Sequence, residues 1–248
     1  MGQVVQHEFI ADGVVKITME ERQGRNTFTP ELIDGITEAF NFVKGNDACK
    51  AVILTGYDNY FCCGGTKDEL MKIYKGELNF NDLTFFTMPL FCEVPVISAM
   101  QGHGIGGGLV FGMYSDFSIL GLENIYTTNF MKYGFTPGMG GTLLIPHRLG
   151  EAVGHEMLFT ARNFRGSELK ERGVELEIVP KKDVVDSAVR LAKSFAEKPR
   201  LSLVTLKNHL SKSLRDRIFE YIADEVKMHD LTFHRPEVEA RIEKLFGQ

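Results

Sequence analysis

Apolar and polar positions in the first half of the chain follow two alternating rhythms. Residues 14–20, VVKITME, alternate like a half-buried strand, whereas residues 50–55, KAVILT, are almost continuously apolar, like a strand covered on both faces. Between them, Leu32, Ile36, Phe40 and Val43 recur at helical spacing, with Thr29 as N-cap and Pro30 at the first helical position. A charged helical stretch begins near Thr66. Residues 94–100 form a third strand, 107–115 a short helix and 116–121 a fourth strand. Strand and helix therefore alternate from residue 14 to about 121, which predicts a mostly parallel sheet with right-handed crossovers.

The second half is more helical. Pro137, Gly138, Gly140 and Gly141 make a turn before a helix from about Thr142. Gly166 to Arg172 is a short helix with Gly173 as its left-handed cap. Residues 183–197 form an amphipathic helix stopped at Pro199, and from 214 onward Leu214, Ile218, Tyr221, Ile222, Val226 and His229 share helical spacing. These last helices form a small second lobe or an arm onto a partner subunit.

Bulk chemistry narrows the class. The 248 residues are 44% apolar and 25% charged, an ordinary globular balance. The net charge of −5 argues against a general nucleic-acid binder. Cys49, Cys62, Cys63 and Cys92 do not form a disulfide framework in a chain this long. No run approaches the ~18 apolar residues of a membrane span and no signal peptide is evident, so a cytoplasmic location without membrane association is expected. No Cys, His and carboxylate cluster has metal-ligand spacing, and no metal is expected.

The densest chemical signal is VPVISAMQGHGIGGGLV, residues 94–110, a buried strand running through glycines into a helix. Gly102 to Gly107 formally fits the dinucleotide fingerprint G-x-G-x-x-G, with Glu123 near the next strand. That match is weak, because two strands precede it and the following helix is short. Glycines used only for close packing are a second reading. The third reading joins Gly64-Gly65 to Gly106-Gly107-Gly108: two glycine loops after nearby strands face one pocket and present one amide each to an oxyanion.

The segments KAVILTG, YFCCGGTKDE, VPVISAMQGHGIGGGLVFGMYSDF and YGFTPGMGGT resemble the crotonase (enoyl-CoA hydratase/isomerase) superfamily from about residue 5 to the C-terminus. The resemblance implies an α/β crotonase fold: a repeated ββα spiral core over residues 1–195 and a C-terminal helical trimerisation region over 196–248. It implies a homotrimer or hexamer, thioester substrates, and oxyanion donors at the amides of Gly65 and Gly107. It also shows what is missing. The two glutamates that hydratases of this family use fall at Val110 and Phe130. Simple hydration lacks its acid–base pair, whereas decarboxylation generates an enolate without a strong base.

AMQGHGIGGG, NFMKYGFTPGMGGT, KPRLSLVTLKNHL and MHDLTF are similar to the decarboxylases of polyketide β-branching cassettes. That similarity implies conversion of 3-methylglutaconyl-acyl carrier protein into a 3-methylcrotonyl-type thioester. The partner is acyl carrier protein, and no cofactor is implied beyond the substrate's own phosphopantetheine. The alternatives are an enoyl-thioester isomerase or hydratase, and a catalytically silent scaffold or RNA binder. His229, in MHDLTF, is the expected proton donor or carboxylate partner. The tyrosine and lysine of the family's first helix fall at Glu69 and Ile73, so Lys67 is taken as the partner of the departing carboxylate, with Lys72 and Lys75 nearby. Glu69 would repel that carboxylate and receives no role. His103 is read as a structural hydrogen-bonding residue.

Overall fold

After an opening hairpin, the central strands of this protein are dealt alternately into two sheets. The structure is a computed structural model that describes residues 3–78 and 84–246. β1 (Val5–Ala11) and β2 (Val14–Met19) make an antiparallel hairpin. α1 (Pro30–Lys44) starts where Thr29 Oγ1 accepts the Leu32 amide at 3.2 Å, and it buries Leu32, Ile36, Phe40 and Val43.

Three ββα turns follow. In the first, β3 (Ala51–Thr55) joins β2 in parallel, β4 (Tyr60–Cys62) opens the second sheet, and α2 (Lys67–Tyr74) returns. After α3 (Met88–Phe91), the second turn comprises β5 (Val96–Met100), β6 (His103–Ile105) and α4 (Gly107–Met113). The third comprises β7 (Phe117–Gly121), β8 (Ile125–Thr127) and α5 (Phe130–Tyr133). Next come α6 (Gly141–Leu149), α7 (Glu151–Thr160), β9 (Phe164–Arg165), α8 (Gly166–Glu171), β10 (Glu177–Val179) and α9 (Val184–Ala196). The large sheet has the order β1-β2-β3-β5-β7-β10 and is parallel beyond its first hairpin; the small one has the order β4-β6-β8-β9. β3 and β5 are buried at every position, as expected of parallel strands covered on both faces.

The chain closes with α10 (Arg200–Thr232) and α11 (Pro236–Leu245). The helix expected from residue 214 begins 14 residues earlier, at Arg200, and runs unbroken for 33 residues. Its buried stripe there is Leu203, Lys207, Ser211 and Leu214, so two polar residues interrupt the apolar pattern. Lys207 is tolerated inside because its ammonium meets Asp116 at 2.7 Å and the carbonyls of Pro89 and Val94 at 3.0 and 2.9 Å. Among the described residues, no helix is long and apolar enough to cross a membrane.

Candidate active site

The parallel pairing of β4 with β6 places their following loops side by side. Gly64 adopts φ +77°, and a Cβ built there would lie 2.9 Å from the Ile105 carbonyl and 3.0 Å from the Gly107 nitrogen. Only glycine allows both the left-handed backbone and this approach. The Phe28 amide donates to the Gly64 carbonyl at 2.8 Å, and the Gly106 amide to Thr127 at 2.8 Å, so both loops are held from behind. Gly107 opens α4, where the first amides have no acceptor within the helix. The Gly65 amide likewise has no acceptor among the described residues.

Gly65 and Gly107 both border two cavities. The outer one has a volume of about 580 Å³, with Arg25, Tyr60, Cys63, His103, Lys132 and Tyr133 on its walls. The inner one offers about 40 Å³ of water-sized space, lined by Phe28, Leu70, Ile73, Phe85, Phe86, Phe130 and Met139 together with Glu69. At ~10–15 Å³ per water-sized group, it admits a terminal group of a few atoms. Phe130 is on its wall, whereas Val110 is fully buried in α4. The sites of the two missing glutamates are thus apolar.

Glu69 is the one ionisable side chain among the described residues that line the inner chamber. It closes a capping box: its Oε2 accepts from the Thr66 amide at 2.9 Å and the Thr66 hydroxyl at 3.1 Å, while its own amide donates back to Thr66 Oγ1. Burial raises its carboxyl above the usual range, outweighing the Thr66 hydrogen bonds and the nearby Lys72.

The two glycines come together as expected; the two side chains do not join them. His229 on α10 is buried, and its Nε2 donates to the Thr136 carbonyl at 2.8 Å, behind Phe135. Burial lowers its pKa below the ordinary histidine value and so favours the neutral ring, despite the Thr136 and Pro137 backbone contacts that act the other way. It touches the turn that carries Met139 and lines neither cavity. Lys67 is a correction to the sequence reading: its ammonium pairs with Glu243 of α11 at 2.5 Å, half-exposed and outside both cavities. At the first position of α2 its long side chain reaches across to α11 and ends at Glu243 rather than at the cavities. His103 Nδ1 accepts the Ile125 amide at 3.0 Å, which leaves any ring proton on Nε2 at the outer cavity.

The description "Enoyl-CoA hydratase/isomerase" belongs to the family model that matches residues 10–245. The chain belongs to that family. Within it, the bacillaene synthase decarboxylase PksI of Bacillus subtilis (strain 168) is 49% identical over 238 residues, covering 96% of each chain. A solved structure from a dehydratase/decarboxylase enzyme couple involved in polyketide β-branching superposes with a TM-score of 0.97 at 48% identity, covering 99% of this chain and all of that one. The ECH2 decarboxylase domain of CurF from Lyngbya majuscula gives 0.95 at 43% identity, with the same coverage of 99% and 100%. The fold is therefore the crotonase spiral that the motifs implied.

Sequence reasoning left Glu69 without a place. The capping signature Thr66-x-x-Glu69 was visible, but it marks a helix start and does not report that Phe28, Phe85, Phe86 and Met139 arrive from elsewhere to enclose the carboxyl.

Proposed function

We propose that this enzyme decarboxylates 3-methylglutaconyl-acyl carrier protein to a 3-methylcrotonyl-type thioester in polyketide β-branch formation. One observation carries the reading. Two amides without an acceptor among the described residues, Gly65 and Gly107, open onto a chamber whose family acid–base positions are Val110 and Phe130. Such a site stabilises an enolate oxygen but holds no glutamate pair to add water. The similarity to PksI and to the CurF domain supports decarboxylation over the isomerase or hydratase alternative.

In this reading the phosphopantetheine arm lies in the outer cavity and brings the thioester oxygen between the two amides. The distal carboxylate enters the apolar chamber, where it loses its hydration and becomes less stable than neutral CO₂. Each oxyanion donor is worth about 2.7–4 kcal/mol of barrier. His229 acts from behind, holding the turn of Thr136 to Met139 against the chamber. No metal or added cofactor takes part. Acyl carrier protein is the protein partner, and the chain assembles as a trimer or hexamer through its C-terminal helices, where Leu201, Leu206, Leu210 and Leu231 are exposed.

Mass spectrometry of 3-methylglutaconyl-carrier protein incubated with the enzyme should show the loss of one CO₂. Hydration to the hydroxy thioester, or an unchanged acyl chain, would sink this reading.

A further inference from the structure

We propose that Glu69 is the acid that protonates the dienolate, and that it does so at the carbon that has just lost CO₂. The inference deepens the decarboxylation reading and rests on it. Its ground is placement. Glu69 is the one ionisable side chain among the described residues of the inner chamber, and that chamber also borders Gly65 and Gly107. Its carboxyl is held by one oxygen only. Oε2 accepts both Thr66 donors, and Oε1 has no protein partner among the described residues. A proton on Oε1 therefore leaves the helix cap intact.

The charge problem resolves itself in sequence. An ionised Glu69 repels a second carboxylate brought into so small a space, so substrate binding favours the protonated carboxyl. That carboxyl donates a hydrogen bond to the substrate carboxylate. The C–C bond to the carboxylate then breaks, and its electron pair passes through the double bond to the thioester oxygen. CO₂ leaves neutral, and the acceptor of the Glu69 proton disappears with it. The O–H bond of Glu69 breaks, a C–H bond forms at the vacated carbon, and the oxyanion returns to a thioester carbonyl. Glu69 remains as a carboxylate and recovers a proton from water, so one proton is consumed per turnover. Protonation at this end of the dienolate gives the α,β-unsaturated product.

The surrounding charges fit the role. On α2 itself are Lys67, Asp68, Lys72 and the C-capping Lys75, and from α11 the facing groups are Glu237, Glu239 and Glu243. Lys67 is taken up by Glu243, Tyr74 is placed against Glu239, and among the described residues Lys72 is the nearby charge that favours an ionised Glu69. α3 and the residues before it contribute Phe85 and Phe86, which carry no charge.

Glu69→Gln separates chemistry from fold, because glutamine also completes a Thr-x-x-Gln capping box. With 3-methylglutaconyl-carrier protein in D₂O, the wild type should place deuterium at the former carboxyl-bearing carbon. Its kcat should fall as pH rises through the raised Glu69 pKa. Glu69→Gln, with an unchanged melting temperature, should lose roughly 10²-fold in kcat, lose that alkaline limb and shift part of the product to the β,γ-isomer. Glu69→Asp should restore the limb in part. A Gln variant with wild-type kcat, pH profile and deuterium position overturns the role of Glu69 while leaving decarboxylation standing. A wild type that releases no CO₂ overturns the reading beneath it.

Discussion

Glycine positions at the site differ sharply in what they tolerate. A Cβ on Gly108 would lie 2.1 Å from the Cys62 carbonyl, a backbone atom that cannot step aside. A Cβ on Gly65 would have no neighbour closer than 3.8 Å. Gly108→Ala should therefore cost about 3 kcal/mol or more and lower the melting temperature by roughly 6–12 °C, while Gly65→Ala should melt within about 2 °C of wild type. Differential scanning calorimetry on both variants checks the contrast. At His229 the expected loss is in turnover. His229→Ala frees the Thr136 carbonyl and slackens the turn bearing Met139, so kcat should fall by roughly ten- to a hundredfold with KM little changed. His229→Gln, whose amide can still donate to that carbonyl, should recover most of the loss; a Gln variant as slow as Ala argues against a positioning role. The histidine was visible in the sequence at the end of an apolar stripe. Its direction was not, because Thr136 lies 93 residues away and only the folded turn brings them together.

Among the elements, the N-terminus of α6 depends on a carboxylate from α10. Glu225 accepts the Gly140 amide at 2.6 Å, the Thr142 amide at 2.8 Å and the Thr142 hydroxyl at 2.5 Å. Burial nevertheless wins over these donors and pushes its pKa up to about 7. An acid whose pKa rises on folding holds its proton longer in the folded chain, so the folded state binds more protons between the unfolded value and about 7. Stability from this group is full below the unfolded value near ~4.3 and is lost as pH rises through the folded one. The stability advantage of wild type over Glu225→Gln should accordingly shrink by roughly 2–3 kcal/mol between pH 5 and 8, measured by urea denaturation. Elements with strong periodicity were legible from sequence: α1 begins at Pro30, as the Thr29-Pro30 signal required, and its apolar face runs to Val43 before the helix ends at Lys44. The small sheet was not legible. β4, β6 and β8 have three residues each, too few to express a period, and they are defined by their pairing with one another across the small sheet.

At the scale of the molecule, the C-terminal helices are bolted to the core by charge as well as by apolar contact. Lys207 reaches Asp116, and Asp116 Oδ2 in turn accepts the Val96 amide at 2.8 Å at the head of β5. Arg215 donates to the Leu90 carbonyl at 2.7 Å, and Arg200 to that of Cys49 at 3.1 Å. These contacts tie the helices after α9 to the sheets, and the division expected at residue 195 falls within the last turn of α9. A chain of residues 1–195 should show no cooperative thermal transition by circular dichroism, and Lys207→Ala in the full chain should cost about 3–5 kcal/mol by breaking a buried ion pair with Asp116.

The contact between the two glycine loops has a further consequence for how such a site can change over time. The distance from one amide to the other is set where backbone meets backbone, at Gly64 against Ile105 and Gly107. No rotamer enters it. A wall residue such as Phe130 makes no hydrogen bond to either loop, so it can be exchanged while the backbone contact between the loops stays as it is. Inheritance can therefore hold the anion-binding geometry constant while varying the groups that supply or withhold protons, and new reactions can arise by substitutions at the wall alone.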